Sequence, residues 1–149
     1  MNDRRHILSL IPHAGAMCLL DAIQQWTDEQ IVCTTHSHID AKNPLRHGNR
    51  LAALHLAEYG AQTMAIHGGL LAEKSGGRAQ PGMLVSIRDL QLEVDRLDDL
   101  PAPLIVQARR LVADAGGWMY QFEAEAAGRH LGSGRVAVLA IERTPADAQ

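Results

Sequence analysis

Aromatic residues are scarce in this chain: Trp26, Tyr59, Trp118, Tyr120 and Phe122 are all that 149 positions contain. Its 14 lysines and arginines are scattered, and the net charge is −3. A nucleic-acid-binding surface combines a basic patch with aromatic stacking residues, so neither half of that footprint is present. Cysteine is limited to Cys18 and Cys33, each in an apolar segment and outside any metal-ligand spacing. They read as small core residues in a reducing compartment, not as a disulfide framework. No run approaches the roughly 18 uninterrupted apolar residues of a spanning helix, and the charged Met1–Ser9 segment lacks the apolar core of a signal peptide. These absences place the chain in the cytoplasm. Internal repeats are missing too, and no shift of composition marks a second domain, so residues 1–149 read as one unit.

Leu, Ile, Val and Ala must fill the core, and a chain of this length buries roughly 68–70% of its unfolded surface. The longest apolar stretch is Leu51 to Ala72, interrupted only by His55, Glu58, Gln62, Thr63 and His67. Without a wide polar face, it reads as a long buried helix. A carboxylate there needs an explanation, because ionised Glu is almost never buried without a partner. His55 lies three positions before Glu58 and Gln62 four after it, which places all three on one helical face.

Around this helix the pattern is that of strands. Arg4–Leu10 forms a short helical turn with Ile7, Leu8 and Leu10 facing inward, stopped by Pro12. Met17–Ile23 and Gln30–His38, on either side of the polar Thr27-Asp28-Glu29 turn, read as an antiparallel hairpin. Ile39–Arg50 is a loop directly before the helix, and Glu73–Gly82 is a Gly-rich connector. Met83–Val94, Leu104–Val112, Trp118–Ala126 and Arg135–Ile141 follow as strands, with Gly116-Gly117 as a turn and Thr144–Gln149 as a loose tail. The economical packing of hairpin, helix and late strands is an α+β fold in which one antiparallel sheet wraps the central helix.

Two motifs carry a resemblance to a known family. Leu10-Ile11-Pro12-His13 followed by Met17-Cys18-Leu19-Leu20-Asp21 resembles the first segment of the hotdog-fold β-hydroxyacyl-acyl-carrier-protein dehydratases. Glu58-Tyr59-Gly60-Ala61-Gln62 is similar to the Glu-x-x-Ala-Gln signature on the central helix of those enzymes. The resemblance implies a hotdog fold over nearly the whole chain, an acyl-carrier-protein or coenzyme A thioester as substrate, no cofactor, and a homodimer or higher oligomer. A heterodimer with another hotdog subunit is the variant form of that assembly. It also implies a helical carboxylate, here Glu58, completed by a loop histidine across the dimer interface. The usual Gly-His-Phe-Pro element is absent, and His47, eleven residues ahead of Glu58, stands nearest to its place. Dehydratase-like proteins of polyene pigment pathways resemble this pattern, keeping the carboxylate without that element.

Dehydration of a 3-hydroxyacyl thioester removes a proton from C2 and expels the C3 hydroxyl as water, so it needs a base and an acid. A histidine near neutral pKa suits the base, and a carboxylic acid in apolar surroundings suits the acid. The expected catalytic pair is Glu58 and His47, with His38 as fallback, and Gln62, His55 and Tyr59 positioning the substrate or the acid. His13 reads as an anchor of the first strand. The scattered histidines lack the paired spacing of a metal site. Two other functions fit the same residues: an acyl-thioesterase, which needs only the helical carboxylate, and a non-catalytic subunit that pairs with an active dehydratase.

Overall fold

The computed structural model describes residues 3–77 and 82–141. Helix α1 (Arg4–Leu10) opens the chain, its start capped by the Asp3 carboxylate, which accepts from the His6 N–H at 3.2 Å. Strands β1 (Ala22–Trp26) and β2 (Gln30–Thr35) form the expected hairpin, and after a long loop comes helix α2 (Leu56–Lys74). Strands β3 (Gly82–Leu92), β4 (Leu104–Asp114), β5 (Gly117–Ala126) and β6 (Arg129–Ala140) complete one antiparallel sheet of order β1-β2-β4-β5-β6-β3. The sheet wraps α2, as expected, with Tyr120, Phe122 and Ala124 of β5 and Val136 of β6 turned into the core between them.

Four sequence expectations need correcting. The first strand begins at Ala22, not Met17, because the extended Cys18–Asp21 segment gives most of its backbone groups to side chains. The Leu19 N–H is bound by the Gln62 side chain, its carbonyl by the Thr35 and Ser37 hydroxyls, and the Cys18 carbonyl by Arg4. Leu8, expected inward, is exposed, since a helix as short as α1 buries one narrow face, led by Ile7. The central helix starts later than Leu51: Ala53–His55 is a 3₁₀ turn that leads into α2. Nor is α2 buried all round, for Glu58, Ala61, Ala65 and Gly68 are only partly buried. The expected tail, Thr144–Gln149, and part of the connector lie outside the described residues.

Two features fix where α2 begins and how deep it sits. Residues ahead of it are stapled to the loop before β4: Leu51 N–H donates to Asp98 Oδ1 at 2.8 Å, Leu97 N–H to the Leu51 carbonyl at 2.8 Å, and Ala53 N–H to the Asp95 carbonyl at 3.0 Å. Arg96 forks onto Asp98 and holds its carboxyl well below the usual carboxylate range. Gly60 then lets the helix settle on β5, since a Cβ there would lie 2.5 Å from Cδ1 of the Phe122 ring.

Candidate functional site

Glu58 stands in the first turn of α2, where the unsatisfied backbone N–H groups favour a negative charge. Among the described residues no side chain caps this end of the helix. The carboxylate is about a third exposed (32%), on the side of α2 away from the sheet, and Gln62 one turn later reaches it: Gln62 Nε2 donates to Glu58 Oε1 at 2.9 Å. Gln62 itself is fully buried and locked, its Oε1 accepting from the Leu19 N–H at 2.9 Å and its Nε2 also donating to the Met17 carbonyl at 2.8 Å. One amide thus ties the helical acid to the Met17–Leu19 backbone.

The same segment delivers a histidine. His13 Nε2 lies 3.3 Å from Glu58 Oε1, and His13 is itself 30% exposed. Its other ring nitrogen, Nδ1, is buried without a partner among the described residues. His13, read from the sequence as an anchor of the first strand, also meets the helical acid. The pointer to it is Leu10-Ile11-Pro12-His13, which opens one of the two motifs that carry the resemblance. Missing was any way to know that the extended Cys18–Asp21 segment, held by Gln62, folds back over the start of α2.

The other expected site residues lie elsewhere. His47 is exposed on the long loop, bridged to Arg50 through backbone bonds of 2.8 and 3.1 Å, and its side chain makes no hydrogen bond among the described residues. His38 is fully buried, with Nε2–H shared between the carbonyls of Leu100 at 2.9 Å and Ala102 at 3.0 Å. Burial disfavours its cation and holds its pKa below the usual imidazole value. Tyr59 is fully buried and points into the loop, where its hydroxyl meets Ser37 Oγ at 2.7 Å and Asn43 Nδ2 at 3.2 Å, and burial raises its pKa. His55, half-buried, closes the 3₁₀ turn. Within one chain, then, the structure brings together Glu58, Gln62 and His13, while Tyr59 and His38 hold the loop from which His47 projects.

A carboxylate beside an imidazole, both reachable from solvent, is an acid–base pair in search of a substrate. A family model for ApeP-like proteins, described as ApeP dehydratase, matches residues 5–148. The chain belongs to this ApeP-like dehydratase family. Among solved structures it is similar to a chain of the dehydratase heterocomplex ApeI:P from Xenorhabdus doucetiae, with a TM-score of 0.82 and 19% identity, covering 92% of this chain and 91% of the other. It is also similar to a putative thioesterase from Shewanella oneidensis (TM-score 0.61, 11% identity, 93% and 94% covered). A hypothetical thioesterase from Streptococcus pneumoniae, solved with coenzyme A, is a third likeness (TM-score 0.59, 11% identity, 81% and 85% covered). No curated protein matches the chain. At such identities the structural likenesses establish the hotdog fold, and the family match places the chain among ApeP-like dehydratases. Among the described residues no helix is long and apolar enough to cross a membrane.

Proposed function

We propose that this chain dehydrates 3-hydroxyacyl thioesters carried by acyl carrier protein or coenzyme A, with Glu58 and His13 as the working acid and base. The observation that carries this reading is the 3.3 Å contact between His13 and a Glu58 held in place by Gln62. His13 takes the C2 proton, and Glu58 delivers a proton to the departing C3 hydroxyl, so that water and a 2-enoyl thioester leave. Backbone N–H groups at the uncapped start of α2 are the natural donors for the thioester oxygen as enolate charge develops. The active form is an assembly of at least two hotdog chains, either copies of this one or this one with another hotdog subunit. The buried free thiols of Cys18 and Cys33 suit a cytoplasmic setting.

Purified protein given a 3-hydroxyacyl pantetheine thioester should form the 2-enoyl product, seen as the loss of one water by mass spectrometry. Glu58→Gln should abolish turnover, and His13→Ala should lower it by about 10²–10⁴-fold. His47→Ala tests the loop histidine in the same assay. If His47→Ala is inactive and His13→Ala is not, the base is His47. Release of free thiol in place of enoyl product would favour a thioesterase. Turnover seen only after a second hotdog subunit is added would make the mixed assembly the active form, and a Glu58→Gln chain that still supports turnover there would assign the catalytic residues to the other subunit.

A further inference from the structure

Arg4 opens α1, and its guanidinium turns toward the segment that follows the helix. Nη2 donates to the Gly15 carbonyl at 2.7 Å, and Nη1 donates to the carbonyls of Cys18 at 2.7 Å and Leu20 at 3.2 Å. Asp21 Oδ1 lies 3.6 Å from the same Nη1. A rigid fork of five donors suits several acceptors at once, and here one cation collects three carbonyls spread over six positions. The chain from Arg4 to Leu20 is thereby a loop closed at its base. Helix α1 runs out, the backbone turns through residues 12–17, and the extended Cys18–Asp21 segment comes back to the residue at which the helix began. His13 stands between the end of the helix and the gripped Gly15.

Little else fixes the place of His13. Among the described residues, the backbone of residues 12–16 receives a single hydrogen bond from a side chain, the one from Arg4 to Gly15, two positions after His13. Upstream, Leu10 rests on Gly69 of α2, where a Cβ would lie 2.9 Å from the Leu10 Cβ, and Ile11 is buried. Downstream, the grip of Gln62 begins only at Met17. Within the turn, Met17 N–H donates to the Ala14 carbonyl at 3.2 Å and Cys18 N–H to the Gly15 carbonyl at 3.1 Å, bonds that shape it locally without fastening it to α2. Gly15 has φ +57 and open space where a Cβ would stand, so no packing holds the turn at that point. The 3.3 Å approach of His13 to Glu58 therefore depends on the Arg4 contacts. The Arg4 side chain is itself 38% exposed, and Asp21, its ion-pair partner, also accepts from the His36 N–H at 2.8 Å, so removing the guanidinium strands no buried charge.

We infer that Arg4 is a positioning residue: by binding the Gly15, Cys18 and Leu20 carbonyls it holds His13 against Glu58. Its effect on turnover rests on the reading of His13 as the base, whereas its hold on His13 does not. Arg4→Met keeps the aliphatic stem and removes all three hydrogen bonds, and Arg4→Lys restores one donor atom. The hold is read by the rate at which diethyl pyrocarbonate modifies each histidine, mapped by mass spectrometry. In wild type His13 should react slowly, with one ring nitrogen against Glu58 and the other buried. Arg4→Met should raise its rate several-fold relative to exposed His47, Arg4→Lys should give an intermediate rate, and buried His38 and His67 should stay protected. In the dehydration assay Arg4→Met should lower kcat by about 10–100-fold with KM nearly unchanged, because a displaced base costs rate and not binding. In a His13→Ala background the same substitution should cost less than about twofold, since a residue acting through His13 has nothing left to position. A His13 that reacts at the wild-type rate in Arg4→Met would overturn the inference, as would a rise shared by His38 and His67 or a kcat loss as large without His13 as with it. Full activity in His13→Ala would instead remove the base assignment, and the modification rates would still decide whether Arg4 holds His13.

Discussion

Gln62 is where the fold and the candidate chemistry meet, and its replacement by Leu is the most informative single change. Leucine keeps the bulk and removes three hydrogen bonds: the one received from Leu19 N–H, the one given to the Met17 carbonyl and the one given to Glu58. Glu58 reaches water and can be resolvated, but the Leu19 N–H sits against a fully buried residue and loses its partner outright. An unsatisfied buried group costs about 1–3 kcal/mol and each net hydrogen bond about 1, so Gln62→Leu should lose about 2–4 kcal/mol. For a chain of this size that corresponds to a fall of about 4–16 °C in melting temperature. Gln62→Glu sharpens the test. It keeps an acceptor for Leu19 N–H yet sets a second carboxylate against Glu58 and a lone pair against the Met17 carbonyl. At pH 7 it should be more damaging than Leu, and its deficit relative to wild type should shrink on acidification, when one proton shared by the two carboxylates restores a donor. Urea denaturation of the three proteins at pH 7 and pH 5.5 measures this. A Gln62→Leu protein within about 0.5 kcal/mol of wild type would refute the clamp. A Gln62→Glu deficit that does not change with pH would refute the carboxylate contact.

Gly60→Ala should cost about 1–3 kcal/mol, because the new methyl runs into the Phe122 ring; in the same melt, Phe122→Leu should cost less in the Gly60→Ala background than in wild type, showing that the two sites share one space. Stability should also fall as pH drops below about 6.5, the ordinary imidazole value from which burial depresses both His38 and His67. Each is neutral when folded and takes up its proton more readily when unfolded, so its contribution is complete above that pH and lost on acidification. His67 is fully buried, donating to the Thr27 carbonyl at 2.7 Å and accepting from the Tyr120 hydroxyl, and His67→Gln should flatten the slope in thermal melts between pH 7 and pH 5.

Much of this architecture was legible in the sequence because it rests on local pattern. The period-2 alternation of Tyr120, Phe122 and Ala124 marked an inward face, and the apolar run after Leu51 marked the element the sheet must wrap. The Glu58-to-Gln62 spacing of one helical turn predicted a contact that exists at 2.9 Å. The two motifs predicted the hotdog fold of the family to which the chain belongs.

What the tertiary structure alone decided are the relations between segments distant in sequence. That His13 meets Glu58, 45 positions later, depends on Gln62 gripping the Met17–Leu19 backbone, and no periodicity encodes a side chain that reaches across to another segment's main chain. Conversely, His38 lies close to the expected loop but spends its donor on the Leu100 and Ala102 carbonyls, partners the sequence does not bring near it. The exposure of β3 has the same origin. Its residues read as an ordinary half-buried strand, and only the strand order, which sets β3 at the edge beyond the reach of α2, leaves Leu84 and Ile87 uncovered. Local pattern fixes which face of an element is apolar, whereas what covers that face follows from topology.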